Sequence, residues 1–318
     1  MCIRLMTGST GQVLSFPHTT MSIKIRLALF ASLAGILTLI SQNVFGWGFW
    51  AHKEIHRYAI QSLPPEMRPF FTENADTLIA RAVEPDNRRY SDPTEAPHHF
   101  IDIDRYGEYP FDELPRSQDE ALKKFGKAVV DSNGTVPWRI VDFTRKLSGA
   151  MKRNNRRDIL FFASNLGHYI ADAHVPLHTT ENYDGQLSNQ KGIHSRWESR
   201  LPEKFGAKYN LGGEAVEYIT DPLAYAFDIV LESFRLKDSV LSLDLEVGRE
   251  IPKSDLMKTV QRRGRTEYEY SEQYYQLYHA KLNGMVERRM KDAVRRVASY
   301  WYTAWVDAGK PDLTARSK

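Results

Sequence analysis

From Trp47 onward, apolar residues recur three and four positions apart, and the pattern predicts a succession of amphipathic helices. His52 to Leu63 reads as one helix, stopped by Pro64 and Pro65, and Pro69 to Ala82 as the next. Residues 83–117 are rich in Pro, Asp and Gly and predict a long ordered loop. Gln118 to Ser132 and Val136 to Lys152 follow as helices, the second with Pro137 in its first turn, where a missing N–H costs nothing. Arg156 to Ala173 is strongly apolar and ends near Pro176; Thr179 to Ile193 is a polar loop; His194 to Phe205 opens another helix. Ala215 to Leu236, Ser239 to Glu250 and a long final helix from about Glu267 to Ala308, closed by Gly309 and Pro311, complete the series. No alternating strand pattern of useful length, internal repeat or flexible linker stands out. The expected fold class is all-α: one helical domain over residues 47–310, with 311–318 as a C-terminal tail.

In the final helix Val286, Met290, Ala293, Val297, Trp301 and Ala304 share one face. A core stripe with arginines on the wet side accounts for them better than a membrane or partner face. The clusters Arg153/Arg156/Arg157 and Arg262/Arg263/Arg265 read as solvated surface.

The first 46 residues follow a different logic. Lys24 and Arg26 precede an apolar run from Leu27 to Ile40, and Val44 and Gly46 fit the small-residue exit of a secretory signal cleaved before Trp47. The run is short for a membrane span; an uncleaved anchor is the alternative. Met21 is the more natural start, which makes residues 1–20 an upstream extension. The expected product is exported, periplasmic or secreted, with no transmembrane segment in its mature part. Arg4, Lys24 and Arg26 are the only charged side chains in that leader, so the remainder carries 40 basic and 40 acidic residues and no global positive field. The single cysteine, Cys2, also lies outside it, so the exported chain has no disulfide and relies on packing and, where present, metal.

The densest chemistry is Gly167-His168-Tyr-Ile-Ala-Asp172-Ala-His174-Val-Pro176-Leu-His178. His168 and Asp172, four apart, share a face of an otherwise apolar helix, where a lone acid is costly and a metal offsets the cost. Pro176 lets the chain bring His178 back toward that face; His174 lies off it and reads as structural. His194 and Glu198 repeat the four-residue spacing with Trp197 between them. Imidazole with carboxylate suits zinc, although either pair alone also fits a simple His–acid hydrogen bond. Upstream, Asp86 precedes Arg88 and Arg89, and Pro97-His98-His99-Phe100-Ile101-Asp102 supplies a histidine pair; Asp86 and Asp102 also fit a role as loop braces. Cleavage before Trp47 exposes a free amine five residues ahead of His52.

Taken in order, Trp47, His52, Asp86, His99, His168, Asp172, His178, His194 and Glu198 resemble the ligand pattern of the superfamily of S1/P1-type nucleases and bacterial zinc-dependent phospholipases C. The resemblance spans residues 47 to about 200. It implies a helical domain with a cluster of about three zinc ions between its helices. Asp86, His99 and His168 would hold one ion, His178, His194 and Glu198 a second, and the Trp47 amine and carbonyl with His52 a third, Asp172 bridging the first and third. It implies in-line hydrolysis of a phosphate ester by a zinc-bound hydroxide, with Asp86 and Arg89 placed at the reaction; Arg89 would neutralise the phosphate, Arg88 being the alternative.

The substrate implied is phospholipid head groups or single-stranded nucleic acid. The Trp-x4-His start and Asp86-x-x-Arg89 are similar to the nuclease branch. The short His178–His194 connection, the Gly192–Ser195 segment and Glu198 are similar to the phospholipase branch, toward which the sequence leans slightly. A non-catalytic, metal-stabilised binding protein is the remaining class, and no stable protein partner is inferred.

Overall fold

The computed structural model describes residues 47–213, 215–262 and 265–315. The expected leader, residues 1–46, lies outside them. The main helices are α1 (Phe49–Ser62), α2 (Glu84–Arg88), α3 (Val136–Lys152), α4 (Arg156–Ala173), α5 (Pro222–Glu250), α6 (Glu272–Lys281) and α7 (Met285–Asp307). The chain is predominantly helical, as expected. Among the described residues no helix is long and apolar enough to cross a membrane.

The core forms where α3 and α4 pack on each other and α7 packs on α1, α3 and α4. The α7 stripe is wholly inside: Val286, Met290, Ala293, Val297, Trp301 and Ala304 are all buried. Trp301 stacks on Phe71 with centroids 5.1 Å apart, and its indole donates to the Ala163 carbonyl at 3.0 Å, so the polar atom of this large ring is satisfied. Gly167 lets α1 and α4 meet closely: a Cβ there would lie 2.5 Å from His56 Nε2. The boundaries of α3 and α4 match the expected ones. Pro137 opens α3, and the Asn155 side chain accepts the Asp158 N–H to cap α4.

Several expected elements are corrected. The stretch expected as one helix from Pro69 to Ala82 is two, Arg68–Glu73 and Ala75–Arg81, divided at Asn74. Gln118–Ser132 is likewise broken at Gly126, whose φ of 82° no helix tolerates. The expected loop 83–117 contains α2 and short 3-10 turns at Ala96–His98 and Ile103–Tyr106. The expected break between Leu236 and Ser239 is absent: α5 runs through it, because Lys237 and Asp238 carry no breaker. Its start is later than Ala215. Asp221 caps it by accepting from Leu223 and Ala224, while Ile219 N–H donates to Thr303 Oγ1 at 2.9 Å, tying an extended segment to α7.

The long final helix is the largest correction. Met257–Arg262 and Arg265–Tyr270 form an antiparallel hairpin with Thr259 opposite Tyr268 and Val260 opposite Glu267. Its β-branched and aromatic residues suit strands, but both faces are largely exposed, so no apolar alternation marks it. Ser271 then caps α6 through the Tyr274 N–H, and Asn283 and Gly284, at φ 46° and 75°, separate α6 from α7.

Candidate metal centre

Most of the expected ligand side chains project from ends and neighbouring turns of a few elements. His52 comes from α1, Asp86 from α2, His168 and Asp172 from α4. His99 follows the 96–98 turn, His178 sits in a 3-10 turn at Pro176–Thr179, and His194 and Glu198 lie on a short helix that passes into a π-helical turn at Arg196–Arg200. That π turn has a local cause. Pro202 has no N–H to give the Glu198 carbonyl, which accepts instead from Gly48 N at 3.2 Å. The same bond seats the Trp47 segment against the cluster. The Trp47 indole donates to the Ala171 carbonyl at 2.7 Å and its ring lies 5.0 Å from that of Trp197.

The eight side chains from His52 to Glu198 in the expected set are all buried and gather into three groups: His52, Asp86 and His168; His99, His168 and Asp172, sharing His168 with the first; and, separately, His178, His194 and Glu198. His99 Nδ1 and His168 Nε2 approach Asp172 Oδ2 at 2.9 and 3.1 Å, and Asp86 Oδ1 at 3.7 and 3.8 Å. His52 Nε2 is 3.3 Å from Asp172 Oδ1, so Asp172 faces both sides. In a further group, His178 Nε2 and His194 Nε2 lie 3.4 and 2.9 Å from Glu198 Oε2. His174 points elsewhere, as expected: its ring is bonded to the Ile170 carbonyl and lies 3.2 Å from Arg296 Nη1, within the core.

Hydrogen bonding orients the rings. His168 Nδ1 faces the Ala82 carbonyl at 2.8 Å, His178 Nδ1 the His99 carbonyl at 2.7 Å, and His194 Nδ1 the Tyr183 carbonyl at 2.8 Å. A carbonyl only accepts, so each Nδ1 carries a proton and Nε2 is the nitrogen left to face the cluster.

The orphaned atoms of these residues fit a metal. Both nitrogens of His52, both oxygens of Asp86 and Glu198, and Asp172 Oδ1 are buried without a hydrogen-bond partner. Such a set is costly unless a cation lies among it. Without a cation, protons take its place in the cluster. Burial alone would lower His168, but Asp172 and Asp86 raise it to about 9. Burial raises Glu198 to about 8, although His178 pulls it down, and burial lowers His194 to about 4. Nitrogen and carboxylate donors in this number suit zinc.

A cavity of about 260 Å³ opens onto these groups, with His99, His178, His194 and Arg89 on its wall beside Phe100, Asp102 and Tyr183. Arg89 Nη1 lies 3.7 Å from Asp86 Oδ1, whereas Arg88 turns away to Glu95, Asn165 and Tyr169. Burial and the nearby Asp104 raise the Asp102 carboxyl to about 7, and its Oδ1 has no hydrogen-bond partner. Gly134 is required by this wall: its φ is 87° and a Cβ would fall 2.2 Å from the Phe100 carbonyl oxygen. Sequence reasoning missed Glu95, which stands four residues before His99 at the spacing that marks the other His–acid pairs.

A family model described as S1/P1 Nuclease matches residues 47–303. A comparison with curated proteins gives no match. Among solved structures, the chain is similar to the alpha toxin of Clostridium absonum, with 13% identity and a TM-score of 0.49 over 87% of this chain and 67% of that one. It is also similar to the alpha-toxin of an avian strain of Clostridium perfringens, with 14% identity and a TM-score of 0.48 over 83% of this chain and 65% of that one.

Proposed function

The chain belongs to the S1/P1 nuclease family, and from that premise we propose that it is an exported, zinc-dependent phosphodiesterase acting on single-stranded nucleic acid. The observation that carries this reading is that buried His, Asp and Glu atoms without hydrogen-bond partners gather beside a cavity whose wall holds His99, His178 and His194 together with an arginine, aromatic rings and a buried carboxyl.

In this reading Asp86, His99 and His168 hold one zinc, His178, His194 and Glu198 another, and His52 with the processed Trp47 amine and carbonyl a further one, Asp172 being shared. Bound zinc supplies Lewis acidity and makes water a nucleophile near neutral pH. The chain's own residues do the rest. Asp86 pairs with Arg89 at 3.7 Å and holds it on the cavity wall, where the guanidinium would offset charge on the phosphate. Phe100 and Tyr183 offer faces on which an unstacked base can lie, and Asp102 offers its edge a hydrogen-bond partner. A base paired and stacked in a duplex cannot enter such a cavity, which favours single strands.

We favour single-stranded nucleic acid over the phospholipid toward which the sequence leans slightly because Phe100 and Tyr183 line the cavity. A phospholipid head group remains the competing substrate through the short His178–His194 connection and Glu198. The test uses protein beginning at Trp47, loaded with zinc, on single-stranded DNA, RNA, duplex DNA and phosphatidylcholine vesicles. Nucleotides released from the single strands, and lost on chelation, are expected. Phosphorylated head groups released from vesicles with nucleic acid intact would overturn the substrate, and activity indifferent to chelation would overturn the zinc.

A further inference from the structure

Behind His99, on the side away from Asp172, stands a carboxylate that the ligand pattern does not include. Glu95 is buried, 3% exposed, and its Oε1 lies 3.6 Å from His99 Nε2. Its charge is held by a dense set of donors. Tyr169 Oη–H donates to Oε1 at 2.5 Å, and Arg88 donates to Oε1 from Nη2 at 3.2 Å and to Oε2 from Nε at 3.3 Å. Arg139 Nη2 stands 3.9 Å from Oε2. Arg88 is fixed in turn by Asn165 Oδ1 at 2.5 Å, on the same helix as His168 and Asp172. A buried carboxylate so surrounded is paid for by its partners and stays ionised.

His99 must choose a tautomer. Its Nδ1 faces Asp172 Oδ2 at 2.9 Å and His168 Nε2 at 3.0 Å, inside the ligand group, while its Nε2 has no hydrogen-bond partner. A ring that offers a lone pair from Nδ1 must carry its proton on Nε2. Asp172 at 2.9 Å draws the proton toward Nδ1 and Glu95 at 3.6 Å draws it toward Nε2; once a cation takes the Nδ1 lone pair, the proton is left on Nε2, facing a carboxylate that can only accept.

We propose that Glu95 is a positioning residue for the metal centre: its charge, 3.6 Å from His99 Nε2, keeps the ring proton on that nitrogen when Nδ1 offers its lone pair to the metal. The inference rests on the reading of His99 as a zinc ligand given above. Its distinctive content is that charge on Glu95, delivered by Arg88, Arg139 and Tyr169, acts on the centre through one ring. A purely structural Glu95 would knit the 96–98 turn to α4 by the same bonds and leave metal affinity unchanged.

The test compares wild type, E95Q and Y169F, all full-length from Trp47. Gln keeps the volume of Glu95 and removes its charge; Phe removes one bond of the same cradle but leaves the carboxylate facing His99. Zinc affinity is read by competition with a chromogenic chelator, and geometry by the visible spectrum of cobalt-substituted protein. E95Q is expected to lose affinity about 10- to 100-fold at one site, with an altered cobalt spectrum and the remaining sites retained. Y169F is expected to stay within about threefold of wild type, far short of the loss that follows removal of an outer partner outright. Wild-type zinc binding with unchanged affinities in E95Q would overturn the proposal alone; a wild type that binds no zinc would overturn the metal reading with it. Should E95Q fail to fold, histidine-15N NMR of the zinc-loaded wild type decides. A slowly exchanging, downfield His99 Nε2–H supports the proposal, and a freely exchanging one overturns it.

Discussion

His178 and His194 face each other through Nε2 atoms 3.0 Å apart, and each ring has its Nδ1 turned to a backbone carbonyl. In neutral rings those two nitrogens are lone pairs pointed at one another, which repel unless a cation joins them. Adding Glu198 Oε2 at 2.9 Å from His194 completes a set of donors that binding of one divalent ion relieves at once.

Metal and pH are therefore linked. In the metal-free chain Glu198, raised to about 8, favours the fold while protonated, and this stabilisation is lost as pH rises from 4.5 toward 8. His168, raised to about 9, contributes stability that is full below 6.5 and gone above 9. His194, lowered to about 4, acts oppositely, its contribution falling away as pH drops from 6.5 to 4. Metal-free protein should thus lose stability between about pH 6.5 and 9, while zinc, which needs deprotonated ligands, binds more tightly. Denaturant melts with and without chelator at pH 6.5 and 8.5 should show a wider gap at the higher pH. A gap independent of pH would count against these ligands.

The N-terminal ligand is tested by a single residue. Protein beginning at Trp47 presents a free amine; one extra residue converts it to an amide, which binds zinc poorly. The extended form should lose about one zinc equivalent and show a lower kcat with little change in KM. Intact mass, metal analysis and steady-state kinetics decide it, and equal zinc content in both forms would exclude Trp47.

Arg89→Met removes the guanidinium at the cavity wall. We expect kcat to fall by about 100-fold with KM changed little, the pattern for charge stabilisation confined to the transition state. Arg88→Met should instead lower stability and weaken zinc binding at the His99 site while leaving kcat at saturating zinc little changed, because Arg88 serves Glu95, Asn165 and Tyr169. Equal kinetic losses in the two variants would reject the assignment.

Asp102→Asn separates binding from stability. The wild-type carboxyl, raised to about 7, is buried neutral at low pH and costs stability as it ionises between 3.8 and 7. The variant cannot ionise, so relative to wild type it should gain stability with rising pH, by at most about 4 kcal/mol at pH 8. Its KM for single strands should change little, because the amide still offers a base edge an acceptor and a donor. A stability difference that stays flat with pH would contradict the burial cost.

Trp301→Ala tests the frame that holds α1 and α4 together. The ring is fully buried against Phe71 and bonded to the Ala163 carbonyl. Its loss should cost about 3–5 kcal/mol, read as a shift in the denaturant midpoint with zinc stoichiometry retained at low temperature.

The sequence by itself determined the helices whose signals are local. The α3 and α4 boundaries follow from apolar period and Pro137, and the α7 stripe from Val286 to Ala304 is buried as its spacing requires. It also marked the His168/Asp172 and His194/Glu198 pairs, because four residues is one helical turn and puts both side chains on one face. Only the tertiary structure decided the rest. The hairpin at 257–270 is exposed on both faces and so left no alternating apolar signal, and α5 runs unbroken because nothing in Lys237-Asp238 stops it. Which nitrogen each histidine offers is set by carbonyls of Ala82, His99 and Tyr183, and Glu95 reaches His99 only once Tyr169, 74 residues away, and Arg88 gather around it. Periodicity records what one turn of a helix does to its neighbour; the meeting of α1, α2 and α4 at Asp172 depends on how separate elements pack, and that is an energy of the whole fold.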